Sequence, residues 1–222
     1  MINQSKQINF QELLKTFFNE KMKSIYTAIP AHVLSFDSVN QTAQVELGIK
    51  RIDRNGEKVT PPPILECPVL FLGDNFCIET QIDVGCEGLA LFSQRCIDGW
   101  INTGGCADNP LMRFFDMSDC LFIAGFRPYP KKIPSFSNNG IKLRNRSGGQ
   151  FVWLKNDGSI SASNGKGTII IESGGTIKIN GVTFDVSGNV STSGDVSSGN
   201  ISLKSHCHSG VQGGNGNTGS PI

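Results

Sequence analysis

Beyond Gly148 the chain is cut by glycine or asparagine every few residues, and that punctuation limits what it can fold into. The units run Gly158-Ser-Ile-Ser-Ala-Ser, Gly167-Thr-Ile-Ile-Ile-Glu, Gly175-Thr-Ile-Lys-Ile-Asn, Gly181-Val-Thr-Phe-Asp-Val, Gly188-Asn-Val-Ser-Thr-Ser, Gly194-Asp-Val-Ser-Ser and Asn200-Ile-Ser-Leu-Lys. Successive glycine steps from Gly167 are 8, 6, 7 and 6 residues, which marks a repeat array of short strands. Inside the units Ile169, Ile171, Ile177, Ile179, Phe184 and Val186 alternate with Thr, Lys, Glu and Asp, the period of a strand with one apolar face. A six-residue strand spans only ~20 Å, and one or two apolar side chains per strand cannot enclose a core within one chain. Three copies wound about one axis would cover those faces and pair the open edges. The expectation is an obligate homotrimer, an intertwined triple-stranded β-helix. The other reading, a single-chain β-helix, usually needs longer rungs with bulky residues on several sides.

Upstream the pattern changes twice. Phe10, Leu13, Leu14, Phe17, Phe18, Met22 and Ile25 recur at helical spacing, with Asn9 as a candidate cap and Pro30 as a stop. This apolar stripe either packs on its own domain or docks on a partner subunit; the sequence leaves both open. From Ala31 to Arg127 the signals are β. Residues 31–36 and 43–49 alternate with period two around the loop Asp37-Ser-Val-Asn-Gln. Leu65 to Leu72, Gly88 to Phe92 and Cys120 to Ala124 read as buried strands, and Trp100 as core or rim. About five short strands in this span predict a small barrel of the oligonucleotide/oligosaccharide-binding type. Pro128, Pro130 and Pro134 then form a stiff linker. The fold class is all-β, with a helix over 1–29, a barrel over 30–128, a linker over 129–150, the β-helix over 151–204 and an apex over 205–222.

Composition excludes several function classes. A net charge of +1 in 222 residues lacks the basic footprint of a nucleic-acid binder. No apolar run is long enough for a spanning helix. The start, MINQSKQINF, carries no apolar signal core, so synthesis in the cytoplasm is expected. The seven cysteines show no zinc-knuckle spacing and read as buried free thiols, with a reactive cysteine as the alternative. His32 stands alone in a strand, a core or surface histidine. Asp157, Glu172, Asp185 and Asp195 are scattered along thin repeats, where the paired carboxylates of a glycan hydrolase are hard to build. No nucleophile elbow, phosphate loop or zinc-protease motif is present, so the chain is expected not to be an enzyme.

Two of the chain's three histidines, His206 and His208, lie two apart near the end of the repeats. In extended chain both face one side and Cys207 the other. Three chains meeting on an axis then supply six imidazole nitrogens as two triangles, a cage suited to an octahedral ion more than to tetrahedral zinc. The alternative is a glycine-rich tail with two solvated histidines. Affinity order alone does not select the ion.

The order barrel, triple-stranded β-helix and histidine tip resembles the membrane-piercing spike proteins of contractile-tailed phages, which are related to the puncturing tips of secretion systems. His206-Cys-His208-Ser-Gly-Val-Gln, running on to Thr218-Gly-Ser-Pro221, is similar to their apex signature. Met117-Ser-Asp-Cys-Leu-Phe-Ile-Ala-Gly-Phe-Arg-Pro128 is similar to their closing barrel strand. The resemblance spans roughly residues 30–222 and leaves the N-terminal helix outside. It implies a central spike in the virion's tail baseplate that mechanically punctures the host outer membrane. It implies one iron ion per trimer held by His206 and His208, with Cys207 between them as a departure that would compete for the metal. It also implies a tail hub or baseplate protein docked on the barrel and N-terminal helix. A tail-associated glycan-binding or glycan-hydrolysing protein is the alternative function.

Overall fold

A computed structural model describes residues 9–53, 55–210 and 213–214. The chain divides into two compact units, one ending at Lys132 and the other beginning at Ile133.

The first unit opens with helix α1 (Phe10–Lys23). The Asn9 side chain accepts a hydrogen bond from the Gln11 amide at 3.2 Å, satisfying one of the donors a helix start leaves open. The helix ends at Ser24, whose amide and hydroxyl both donate to the Lys21 carbonyl, and Pro30 lies inside the following strand. No residue of α1 is buried, and Phe10, Leu13, Leu14, Phe17, Phe18 and Met22 are all more than half exposed. Of the two readings of this stripe, packing on its own domain is not the one observed.

Ten further elements follow in this unit: β1 (Ala28–Asp37), β2 (Thr42–Leu47), β3 (Arg51–Ile52), β4 (Lys58–Val59), β5 (Ile64–Pro68), β6 (Leu72–Gly73), β7 (Cys77–Ile78), β8 (Glu87–Phe92), α2 (Asp98–Thr103) and β9 (Cys120–Ala124). Five of the strands form one curled sheet in the order β5-β2-β1-β8-β9. Register shifts between Val33 and Ser35 and between Ala43 and Val45 bend it, as bulges do. A parallel bridge from Val69 to Phe122 then joins the two outer strands. The alternation expected from the sequence sends Ala31, Val33, Val45, Ala90, Phe92 and Phe122 into one core. Gly88 makes the approach of β8 to β9 possible, since a Cβ there would sit 2.3 Å from the Phe122 ring.

Two expectations need correcting in this unit. The strand expected over Leu65–Leu72 ends at Pro68, which has no N–H to extend a ladder, and Leu72 belongs to the separate β6–β7 ribbon. The short helix α2 carries Trp100, half-exposed, where no helix was expected; six residues including Gly99 show no apolar periodicity.

The second unit holds β10 (Ile141–Arg144), β11 (Phe151–Leu154), β12 (Ile160–Ser163), β13 (Thr168–Ile171), β14 (Ile177–Ile179), β15 (Val182–Phe184), β16 (Val190–Thr192), β17 (Ser197–Ser198) and β18 (Ile201–Ser202). The first seven make an antiparallel meander in sequence order, starting inside the stretch expected to be linker. Side-chain carboxylate or amide oxygens close several of its turns: Asn145 accepts from the Gly148 and Gln150 amides, Asn164 from Lys166 and Gly167, and Asp185 from Ser187 and Asn189. Gly140 enters the first strand at φ 89°, where a Cβ would fall 2.0 Å from the Leu154 carbonyl oxygen.

Candidate functional site

The register of the meander lines up its apolar residues. Ile141, Leu154, Ile160, Ile171, Ile177, Phe184 and Val190 are paired strand to strand in one unbroken row. Beside it on the same face run Leu143, Val152, Ala162, Ile169, Ile179 and Val182, before the row ends in Thr192. Every member of the first row is at least 36% exposed. The opposite face holds Lys142, Ser161, Lys178, Thr183 and Ser191, together with Trp153 and Ile170. Lys142 lies over both aromatic rings of β11, 4.2 Å from the centroids of Phe151 and Trp153. Val186, expected to continue the alternation beyond Phe184, lies past the end of β15, in the turn that the Asp185 carboxylate closes.

The histidine pair follows this sheet and the β17–β18 ribbon. The Asp195 carboxylate accepts from the Lys204 amide at 3.1 Å, and a hydrogen bond from Ser202, with that backbone bond, holds its pKa below the ordinary carboxylate value. The His206 amide donates to the Ser202 carbonyl at 3.0 Å, and the His206 Nδ1 lies 2.7 Å from the same oxygen. A carbonyl only accepts, so this contact places the proton on Nδ1 and leaves the Nε2 lone pair free. The rings of His206 and His208 stand edge to face with centroids 5.2 Å apart, so the structure brings the two expected ligands together. Both are exposed, as is Cys207. The apex residues Val211, Gln212 and Thr218 to Pro221 lie outside the described residues.

Other candidate chemistry is accounted for locally. Asp157 accepts from the amide and hydroxyl of Ser159, Asp185 from Asn189, and Glu172 pairs with Lys178. Hydrogen bonding, led by the Ser159 hydroxyl and the Asn189 side chain respectively, lowers the pKa of Asp157 and Asp185, the wrong direction for a general acid. Cys96, Asp98 and Asp119 gather within reach of one another, but the Arg113 guanidinium occupies their centre, 3.2 Å from the Cys96 sulfur, 2.9 Å from Asp98 and 2.8 Å from Asp119. Asp119 is fully buried and also accepts from the Ile97 amide at 3.0 Å, so the cluster clasps the α2 segment to the barrel sheet. Sequence reasoning missed this clasp, because its members are spread over more than twenty residues with no motif spacing. An open groove of about 750 Å³ beside β9 is lined by Phe36, Phe71 and Trp100 with Asp74 and Glu79 and no lysine or arginine, unlike a strand-binding channel for nucleic acid. His32 pairs with Glu46 at 3.1 Å across β1 and β2. Cysteine expectations hold for Cys67, Cys96 and Cys120, which are buried, and fail for Cys77, Cys106 and Cys207, which are exposed. No described helix is long and apolar enough to cross a membrane.

Residues 29–125 match the family model for the phage protein Gp138 N-terminal domain, and residues 200–221 match the GpV apex motif. Together the two matches are those of a phage central spike protein. A comparison with curated proteins gives no match.

Proposed function

We propose that three copies of this chain form the central spike of a contractile tail baseplate and puncture the host envelope mechanically, without catalysis. The observation that carries this reading is the two-row apolar face of the second unit, open along seven strands and leading toward the histidine pair. Burying such rows stabilises an assembly by about 25 cal/mol per Å² of apolar surface. Three copies about one axis bury it on themselves, as a closed symmetric assembly must. Interchain backbone pairing then supplies the stiffness a puncturing device needs.

The strand order β5-β2-β1-β8-β9 with its parallel seam supports reading the first unit as an oligonucleotide/oligosaccharide-binding-type barrel, here a collar for a tail hub. The open stripe of α1 is the second docking surface for that partner.

At the tip the residues fit a bound ion: two adjacent imidazoles, one with its Nε2 lone pair freed by the Ser202 carbonyl. His206 and His208 of three chains would hold one iron ion, which would tie together the last residues, where fraying is otherwise cheapest. The molar mass of the purified protein in solution tests the reading: a trimer supports it, and a folded monomer ends it.

A further inference from the structure

The barrel sheet closes along a thin seam. Among the described residues, β5 and β9 are joined by the isolated Val69–Phe122 bridge and the hydrogen bond from the Leu70 amide to the Phe122 carbonyl at 3.0 Å. Because that bridge is parallel, Cys67 and Cys120, each two residues upstream of it, occupy the preceding rung on the same side of the sheet. Burial agrees, since Val69, Phe122, Cys67 and Cys120 all point into one core, the two cysteines at 1% and 2% exposure. Neighbouring strands lie ~4.8 Å apart, within the ~4.4–6.8 Å Cα separation that a disulfide accepts. Both thiols are free, and their other sulfur contacts are long ones to backbone carbonyls, 3.8 and 3.9 Å for Cys67 and 3.6 Å for Cys120.

We propose that Cys67 and Cys120 are an oxidation site: a low-molecular-weight disulfide converts them into an intrachain disulfide that locks the β5–β9 seam. One protein thiolate attacks the reagent and releases its first thiol. The second protein thiolate then displaces the mixed-disulfide sulfur and releases the other. Two S–H bonds and the reagent's S–S bond are lost, one protein S–S bond forms, and two electrons and two protons end on the released thiols. Contact with Cys67, followed by desolvation, pushes the Cys120 thiol up, so the reaction waits on opening of the seam. The pair stays reduced in a reducing compartment and closes in an oxidising one.

The test uses the full chain carrying C77S, C106S and C207S, which removes the exposed thiols. It is treated with oxidised glutathione both as native protein and during refolding from urea, then alkylated after denaturation and mapped by mass spectrometry. The expected result is alkylation of Cys86 and Cys96 alone, with one peptide joining Cys67 to Cys120. The unfolding midpoint should rise by about 5 °C or more, reversibly with dithiothreitol. Full alkylation of Cys67 and Cys120 under both conditions, or a linkage of either to Cys86 or Cys96, overturns the proposal. The peptide map decides this without any further variant.

Discussion

Ile171 stands directly opposite Ile177 across β13 and β14, and their neighbours in register, Ile160 and Phe184, are apolar as well. All four are between 36% and 39% exposed in a single chain. An exposed apolar row of this length, on a sheet whose outer strands among the described residues are β10 and β16, is the kind of patch that marks interaction sites, and it is the surface the proposed trimer would bury.

Ile171→Asp therefore places three carboxylates in the middle of the proposed trimer core. The expected outcome is loss of the trimer in sedimentation equilibrium, because burying an unpaired charge costs more than one substitution's usual ~0.5–3 kcal/mol. Thr183→Asp on the opposite face should leave the trimer intact. Equal behaviour of the two variants would remove the apolar face from the assembly.

Asp119 has its charge compensated by Arg113 at zero exposure. Arg113→Ala strands that buried carboxylate, so the expected loss is about 3–5 kcal/mol in a urea titration of the first unit's signal. Arg113→Lys should recover only part of it, since one ammonium cannot reach Asp98, Asp119 and Cys96 in the fork the guanidinium makes.

Asp37, Asp157, Asp185 and Asp195 are held below the ordinary carboxylate value, chiefly by hydrogen bonds from the Val39 amide and from Ser159, Asn189 and Ser202. Their folded pKa is depressed, so the unfolded chain binds protons first as pH falls. The stability they contribute is present above the unfolded value of about 3.9 and lost as pH drops through the lower folded one. Denaturant midpoints should thus be flat near neutrality and fall below about pH 4. The combined variant Asp157→Asn, Asp185→Asn should show a shallower acid limb.

Much of this was legible because alternation and turn chemistry are local. The units from Gly158 to Lys204 appear as strands β12 to β18 because each carries its own turn residue and one or two apolar side chains of its own. Val186 was misplaced because an Asx turn and a continuing strand share the same composition until the Asp185 hydrogen bonds are known. The exposed Cys77 lies in the β6–β7 ribbon, while Cys67 turns into the core; a two-residue strand is too short to print a period. The His206-Cys207-His208 pattern was readable, but the Ser202 carbonyl that orients His206 is not, since it is a backbone atom.

Deleting residues 10–23 should leave the oligomeric state of the purified chain unchanged, since no side chain of α1 is buried in the first unit. The same deletion should reduce incorporation of the spike into tails, measured as spike copies per particle, because it removes Phe10, Leu13, Leu14, Phe17, Phe18 and Met22 from the proposed hub contact. Unchanged incorporation would rule out that role.

The tip gives the most direct outcome. If His206 and His208 of three chains hold one ion, protein purified without an affinity tag should contain about one metal per three chains by elemental analysis, with iron expected ahead of zinc. Ligation uses the imidazole lone pairs, so a strong chelator that competes for the ion should remove the metal. His206→Ala with His208→Ala should abolish the metal while the trimer persists, because neither histidine belongs to the apolar rows that end at Val190 and Thr192. Cys207→Ser separates imidazole from thiolate ligation: the histidine cage predicts unchanged metal content, and loss of the ion would assign the site to the sulfur instead.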